Sequence, residues 1–363
     1  MKTFFASLVL VSTLLGLRAI QVKETPADAL LVLAKADGIL AIVDPTSLQV
    51  IARIPVGHDP HELIASADGK TAYASNYGGG AYNTLAVVDL VARAPLPAID
   101  LGALRGPHGL TFVGGKVWFT AEAAKAIGSY DPATQKIDWV FGTGQNRTHM
   151  IYVWPDMKHI VTTNVSSGTV SFIEKTAARP GQGGPPPGMP NPPPGQTGGP
   201  PPQRPGGPMG PPGGDWNQTV VKVGNGSEGF DVSPDGKEIW VANSQDGTIS
   251  IIDVASKQVA QTLAADVRGA NRLKFTLDGK LALVAMLGND NLTVIDFATR
   301  KTVKQIPVGH GAAGILMQPD GSRAFVACSP DGYVAVIDLH TLEVTAHIPI
   351  GNDPDGLAWA SRR

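Results

Sequence analysis

Three histidines and a glutamate, His61, His108, His149 and Glu228, each stand at the start of a short apolar segment of the same form. The segments read PHELIASADGK, PHGLTFVGGK, THMIYVWPDMK and SEGFDVSPDGK, followed later by ANRLKFTLDGK, AGILMQPDGS and PDGLAWASRR. Aligned, they define a column of seven: His61, His108, His149, Glu228, Asn271, Ala313 and Asp355. Imidazole nitrogens joined by carboxylate oxygens suit Zn²⁺, Cu²⁺ or Fe²⁺, whereas Ca²⁺ and Mg²⁺ prefer all-oxygen shells. The candidate metal ligands are therefore His61, His108, His149, Glu228 and Asp355. An ion held there would activate water as a Lewis acid, with Glu228 as fourth ligand or as catalytic general base. The competing reading is a polar, metal-free site in which each imidazole hydrogen-bonds a neighbouring backbone.

Three residues upstream runs a second column: His58, Arg105, Asn146, Asn225, Arg268, His310 and Asn352. All seven are polar, and Arg147 and Arg272 lie close by. Guanidinium groups among amides and imidazoles can receive an anionic or hydroxylated ligand. Candidate ligand-binding residues are His58, Arg105, Asn146, Arg268, Asn271, Arg272 and His310. Taken singly, each is also what an exposed loop normally carries.

The elements that must position these residues are strands. Members of the first column recur 47, 41, 79, 43, 42 and 42 residues apart. The long step contains a Pro/Gly segment, residues 178–214, in which 27 of 37 residues are Pro or Gly; without it the step is 42. A constant period in the forties, built of short alternating segments, is that of a β-propeller with one four-stranded sheet per repeat. Second strands align as LVLA, YASN, WFTA, VTTN, WVAN, LVAM and FVAC, and third strands as LAIVD, LAVVD, AIGSYD, VSFIE, ISIID, LTVID and VAVID. Asn76, Asn164 and Asn243 end second strands, where they are expected to bond turn backbone. Before Ala29 no innermost strand appears, and GLAWA near the C-terminus supplies one. The fold class is thus all-β: a seven-bladed β-propeller whose ring closes with three N-terminal strands plus one C-terminal strand. Innermost strands line the central tunnel, so the first column becomes a ring at one tunnel mouth, in blade order Asp355, His61, His108, His149, Glu228, Asn271, Ala313.

SPDGKEIWVANSQDGTISIIDVASKQV (233–259) carries a whole repeat, and SADGKTAYASNYGGGAYNTLAVVDL and QPDGSRAFVACSPDGYVAVIDLHTLEV follow it closely. On these segments the chain resembles the YVTN-type β-propeller repeat family over about 300 residues. The resemblance implies the fold. For function it implies surface-layer, periplasmic binding and lactonase-like propellers alike, and fold does not choose among them. A Pro-His-Gly entry to the inner strand is a recurring feature of the family; His108 follows it and His61 keeps its Pro-His, while ThrHisMet and SerGluGly depart from it.

MKTFFASLVLVSTLLGLRA has a lysine beside the start and an apolar run from Phe4 to Leu17, the pattern of a secretory signal. Residues 1–20 are expected to be that signal and 21–363 a single propeller domain, periplasmic or secreted, with no membrane span after signal removal. The formal net charge of −2 gives no reason to expect nucleic acid, whose binding neutralises many phosphates. A single cysteine, Cys328, excludes an internal disulfide framework. Residues 178–214 read as a disordered insert between the third and fourth strands of one blade, on the rim away from the column. The expected function is binding of a small molecule or protein at the tunnel mouth, with a divalent transition metal (Zn, Cu or Fe) as the cofactor if there is one. A metal-assisted or lactonase-like hydrolase and a structural surface protein stand as alternatives.

Overall fold

A computed structural model describes residues 27–176 and 215–362. Within them, seven antiparallel four-stranded sheets form a ring of blades. The innermost strands are Pro60–Ala65, Pro107–Val113, Thr148–Val153, Ser227–Val232, Ala270–Phe275, Ala312–Met317 and Pro354–Ser361. Alternation produces this layering. In Glu238–Asn243 and Thr248–Asp253 the central residues are buried on both faces, because each blade packs between two neighbours. Outer strands such as Lys136–Gly142 alternate between exposed and partly covered positions.

The last strand closes the ring. Pro354–Ser361 pairs antiparallel with Asp28–Ala34, placing Leu30 opposite Trp359 and Leu31 opposite Ala358, and Ile39–Asp44 and Gln49–Pro55 complete that blade. Asn352 adds two 2.8 Å hydrogen bonds to the Asp37 carboxylate, one from its backbone N–H and one from its side-chain amide. This pairing covers the inner edge of Asp28–Ala34, which would otherwise be open.

Each inner strand is irregular at the same place. Its pairing with the second strand slips between Pro60 and Leu63, Pro107 and Leu110, Thr148 and Ile151, Ser227 and Phe230, Ala270 and Arg272, and Ala312 and Ile315. The column residue falls inside every slip. A bulge leaves a residue out of the ladder and re-aims its side chain, here toward the tunnel. Glycine after the column lets adjacent inner strands close up: a Cβ on Gly109 would lie 2.5 Å from the His149 carbonyl oxygen. Hydroxyls from second strands lock this junction. Thr120 Oγ1 accepts from Gly109 N–H at 2.8 Å and donates to the His149 carbonyl at 2.7 Å. Thr163 repeats the device one blade on, accepting from Met150 N–H and donating to the Glu228 carbonyl at 2.9 Å.

Asn76, Asn164 and Asn243 do not bond turn backbone as expected. Their side-chain amides donate to the hydroxyls of Thr84, Thr169 and Thr248 at 3.2, 3.1 and 2.9 Å, because those threonines open the facing third strands. The segment expected to be a signal and the Pro/Gly segment lie outside the described residues. The residues flanking the latter meet: Thr176 N–H donates to the Asp215 carbonyl at 2.9 Å, between a third strand, Thr169–Lys175, and a fourth, Trp216–Lys222. Among the described residues no helix is long and apolar enough to cross a membrane.

Candidate functional site

The bulges bring His61, His108 and His149 into one stack. Ring centroids lie 5.1 Å apart for His61 and His108 and 3.9 Å for His108 and His149. His149 is buried between two carboxylates, its Nδ1 against Glu122 Oε1 and its Nε2 2.8 Å from Glu228 Oε2. The second contact is close but off the hydrogen-bond direction, so Glu228 Oε2 is a buried atom without a hydrogen bond. His108 is more isolated still: its Nδ1 is buried and has no hydrogen-bond partner. Donor atoms of His108, Glu122 and His149 all lie within 4.8 Å of one another.

Charge sets the protonation of the two imidazoles in opposite directions. Burial strongly disfavours the cationic form of His108, and the positive neighbours His149, His61, Arg272 and Arg147 add to this, so it stays neutral well below its ordinary value. For His149 burial is again the largest influence and acts downward. Glu228 and Glu122 together outweigh it and raise the group to about 9. Glu228 itself is held below the ordinary glutamate value: burial opposes ionisation, but His149, Arg147 and Arg272 prevail. A neutral imidazole beside an ionised carboxylate is the state in which both can ligate a cation.

Around this core stand charged partners. Arg147 reaches Glu228 Oε1 at 3.2 Å and Glu122 Oε2 at 3.6 Å. Tyr77 donates its hydroxyl to Glu122 Oε2 at 2.6 Å. Arg272, buried in the tunnel just inside the ring, pairs with Glu62 and lies 3.3 Å from Met150 Sδ.

The other residues named from the sequence are placed as follows. His61 Nε2 sits 3.1 Å from Asp59 and its Nδ1 3.6 Å from Asp355, which also pairs with Lys35 at 3.3 Å. His61 and Asp355 thus belong to a flanking ion-pair group beside the core. Asn271 is half-buried on the mouth's far side, and Ala313 is buried. The second column lies exposed on the rim, and most of its members are tied to neighbouring turns. Arg105 donates to the Ala81 carbonyl and Arg268 to that of Gln245, while Asn146 N–H bonds the Ser167 hydroxyl. Asn225 and His310 hydrogen-bond Asp246 and Asp331 as Asn352 does Asp37. His58 is exposed. Cys328 is buried, and burial pushes its thiol up to about 12, which makes it inert.

Glu122 and Tyr77 were not singled out from the sequence. Both directly follow a second strand, and the turn there leads to the third strand on the same rim as the column. Aligned, that position reads Lys35, Tyr77, Glu122, Val165, Ser244, Leu287 and Ser329. Its three charged or phenolic members are consecutive, in the blades that carry Asp355, His61 and His108, which is the available signal.

The YNCE-like β-propeller family matches residues 214–323. Together with the seven-bladed ring, that match supports membership of the YVTN-type seven-bladed propellers. No curated protein matches the chain in sequence. Similar solved structures include a functionally unknown protein from Desulfotomaculum acetoxidans, with TM-score 0.70 and 12% identity over 92% of this chain and 99% of that one. Kuenenia stuttgartiensis hydrazine synthase gives 0.65 and 17% over 85% and 92%, and the dihydro-heme d1 dehydrogenase NirN in complex with DHE gives 0.60 and 17% over 92% and 75%. At these identities the likeness is one of fold.

Proposed function

We propose that this propeller is a metal-dependent binding module whose site is the tunnel mouth. The ion is a divalent transition metal held by His108, His149 and Glu122. The observation that carries the reading is His108: a buried, neutral imidazole with a nitrogen lacking any hydrogen bond, 3.9 Å by ring centroid from a second imidazole flanked by carboxylates. An unsatisfied buried polar atom costs about 1–3 kcal/mol, and a cation between these donors would remove that cost. Glu122 Oε1 and His149 Nδ1 would hold the ion between them, with Glu228 standing 2.8 Å from the opposite nitrogen of the ring. Two imidazoles and one carboxylate suit Zn²⁺ or Fe²⁺ and leave coordination positions for a ligand. The N-terminal apolar run supports an exported setting, periplasmic or secreted.

The same donor set supports a second reading, hydrolysis by a metal-activated water, in which Glu228, beside His149, is the general base. Protein purified without chelator or metal-affinity tag should carry, or take up on addition, a single equivalent of metal. His108→Ala and Glu122→Gln should each weaken uptake by more than the ~10–100-fold typical of an outer partner. Failure to bind stoichiometric metal, or wild-type uptake by His108→Ala, would sink the proposal. Turnover of an ester by the loaded protein, abolished in Glu228→Gln with metal retained, would favour the hydrolytic reading.

A further inference from the structure

Of the four groups Arg147, Glu122, Glu228 and His149, only Arg147 reaches solvent extensively: its side chain is 40% exposed, against 4%, 13% and 3% for the others. Long side chains take positive φ in other turns, Arg93 and Arg300 among them, but in the ring of positions equivalent to Arg147 no other long side chain does so. The position two before the column has positive φ in every blade and is occupied by Asp59, Gly106, Arg147, Gly226, Gly269, Gly311 and Asp353. Glycine adopts this conformation freely and aspartate tolerates it, whereas a long side chain costs about 1–2 kcal/mol there. Arg147 sits at φ 56° nevertheless. A residue kept in a conformation that glycine fills in four other blades points to a use for its side chain.

We propose that the metal-loaded mouth is a receptor for a small oxyanion, a carboxylate or a phosphate, gripped jointly by the ion and the Arg147 guanidinium. This inference rests on the metal reading. Glu122 and Glu228 bring two negative charges and Arg147 one positive. A divalent ion held with neutral imidazoles brings the sum of these charges to net positive, so that the ion and Arg147 together exceed the two carboxylates by one charge. Arg272 is already matched by Glu62 inside the tunnel. Asp59 and Asp353, on the His61 side, are each over a third exposed, so solvent screens their repulsion. A planar, forked guanidinium beside a cation with open positions matches an oxyanion that offers one oxygen to each.

The test uses the full chain loaded with Co²⁺, whose visible spectrum reports the ligand sphere, titrated with acetate and with inorganic phosphate. The proposal expects a saturable spectral change with at least one anion and no anion binding by the metal-free protein in calorimetry. Saturation by phosphate alone assigns a phosphorylated ligand, and by acetate alone an organic acid. Arg147→Gly, which suits the backbone, should keep the metal equivalent and bind the anion at least about 10-fold more weakly. If Arg147→Gly does not fold, Arg147→Lys keeps a charge without the fork and should still lose several-fold. Loaded protein indifferent to both anions, or a variant binding as tightly as the native chain, overturns the oxyanion reading and leaves the metal reading standing. A chain that takes up no metal overturns both.

Discussion

His149 couples the stability of the metal-free protein to pH. Its pKa is raised from 6.5 to about 9, chiefly by Glu228 and Glu122 acting against burial. A raised value means the proton stabilises the fold: the contribution is complete below pH 6.5 and is lost as pH rises through 9. Chelator-treated protein should therefore show a falling Tm between about pH 7 and pH 9, on the order of 1–3 kcal/mol in all. His149→Asn should flatten that slope; an unchanged slope would mean that another group titrates there. Metal uptake should run the opposite way, strengthening with pH as the ion replaces the proton on Nδ1. At this scale the repeat alignment names His108 and His149, because both fall in a column of equivalent positions. Glu122 escapes it, since its turn shares no side-chain chemistry with most of the other blades.

The bulge and the hydroxyl clamp position these side chains at the scale of the element. Thr120 satisfies a backbone donor on its own blade and a backbone acceptor on the next, both buried. Thr120→Val keeps the shape and removes both hydrogen bonds. It should cost about 1–3 kcal/mol in denaturant unfolding. It should also weaken metal binding, because the His149 backbone is no longer tied to the blade carrying His108 and Glu122. A loss of stability with native metal affinity would show that the clamp does not position the site. Strand period and turn residues are visible in single segments such as SPDGKEIWVAN. The slip at the column is not, because a bulge depends on which partner strand is present and how it is paired.

The decisive pairing for the whole molecule joins residues near opposite ends of the chain. Removing residues after Asn352 deletes the strand that faces Asp28–Ala34 and the Asp353 carbonyl that accepts from Lys35 N–H at 2.9 Å. The truncated ring should unfold over a broader denaturant range with a smaller m-value, because an exposed blade edge lets the remaining blades open separately. Cooperative unfolding at the native midpoint would show that the closure contributes little. This closure is legible in the sequence as an inventory: three strands at one end lack an inner partner, and one strand at the other end lacks a blade.

What the sequence by itself determined is the repeat. Hydrophobic alternation, turn chemistry and a period in the forties are local properties, and seven such units have one compact way to bury their faces. The tertiary structure alone decided which groups meet. Equivalent positions are brought to one axis by the ring, but the core at that axis is set by turns from adjacent blades. Glu122 therefore takes the place beside His149, while His61 is drawn away by Asp59 and Asp355. Electrostatic partnership between side chains hundreds of residues apart in the chain, such as Arg272 and Glu62, leaves no periodic trace. It arises from distances that exist only once the ring has closed.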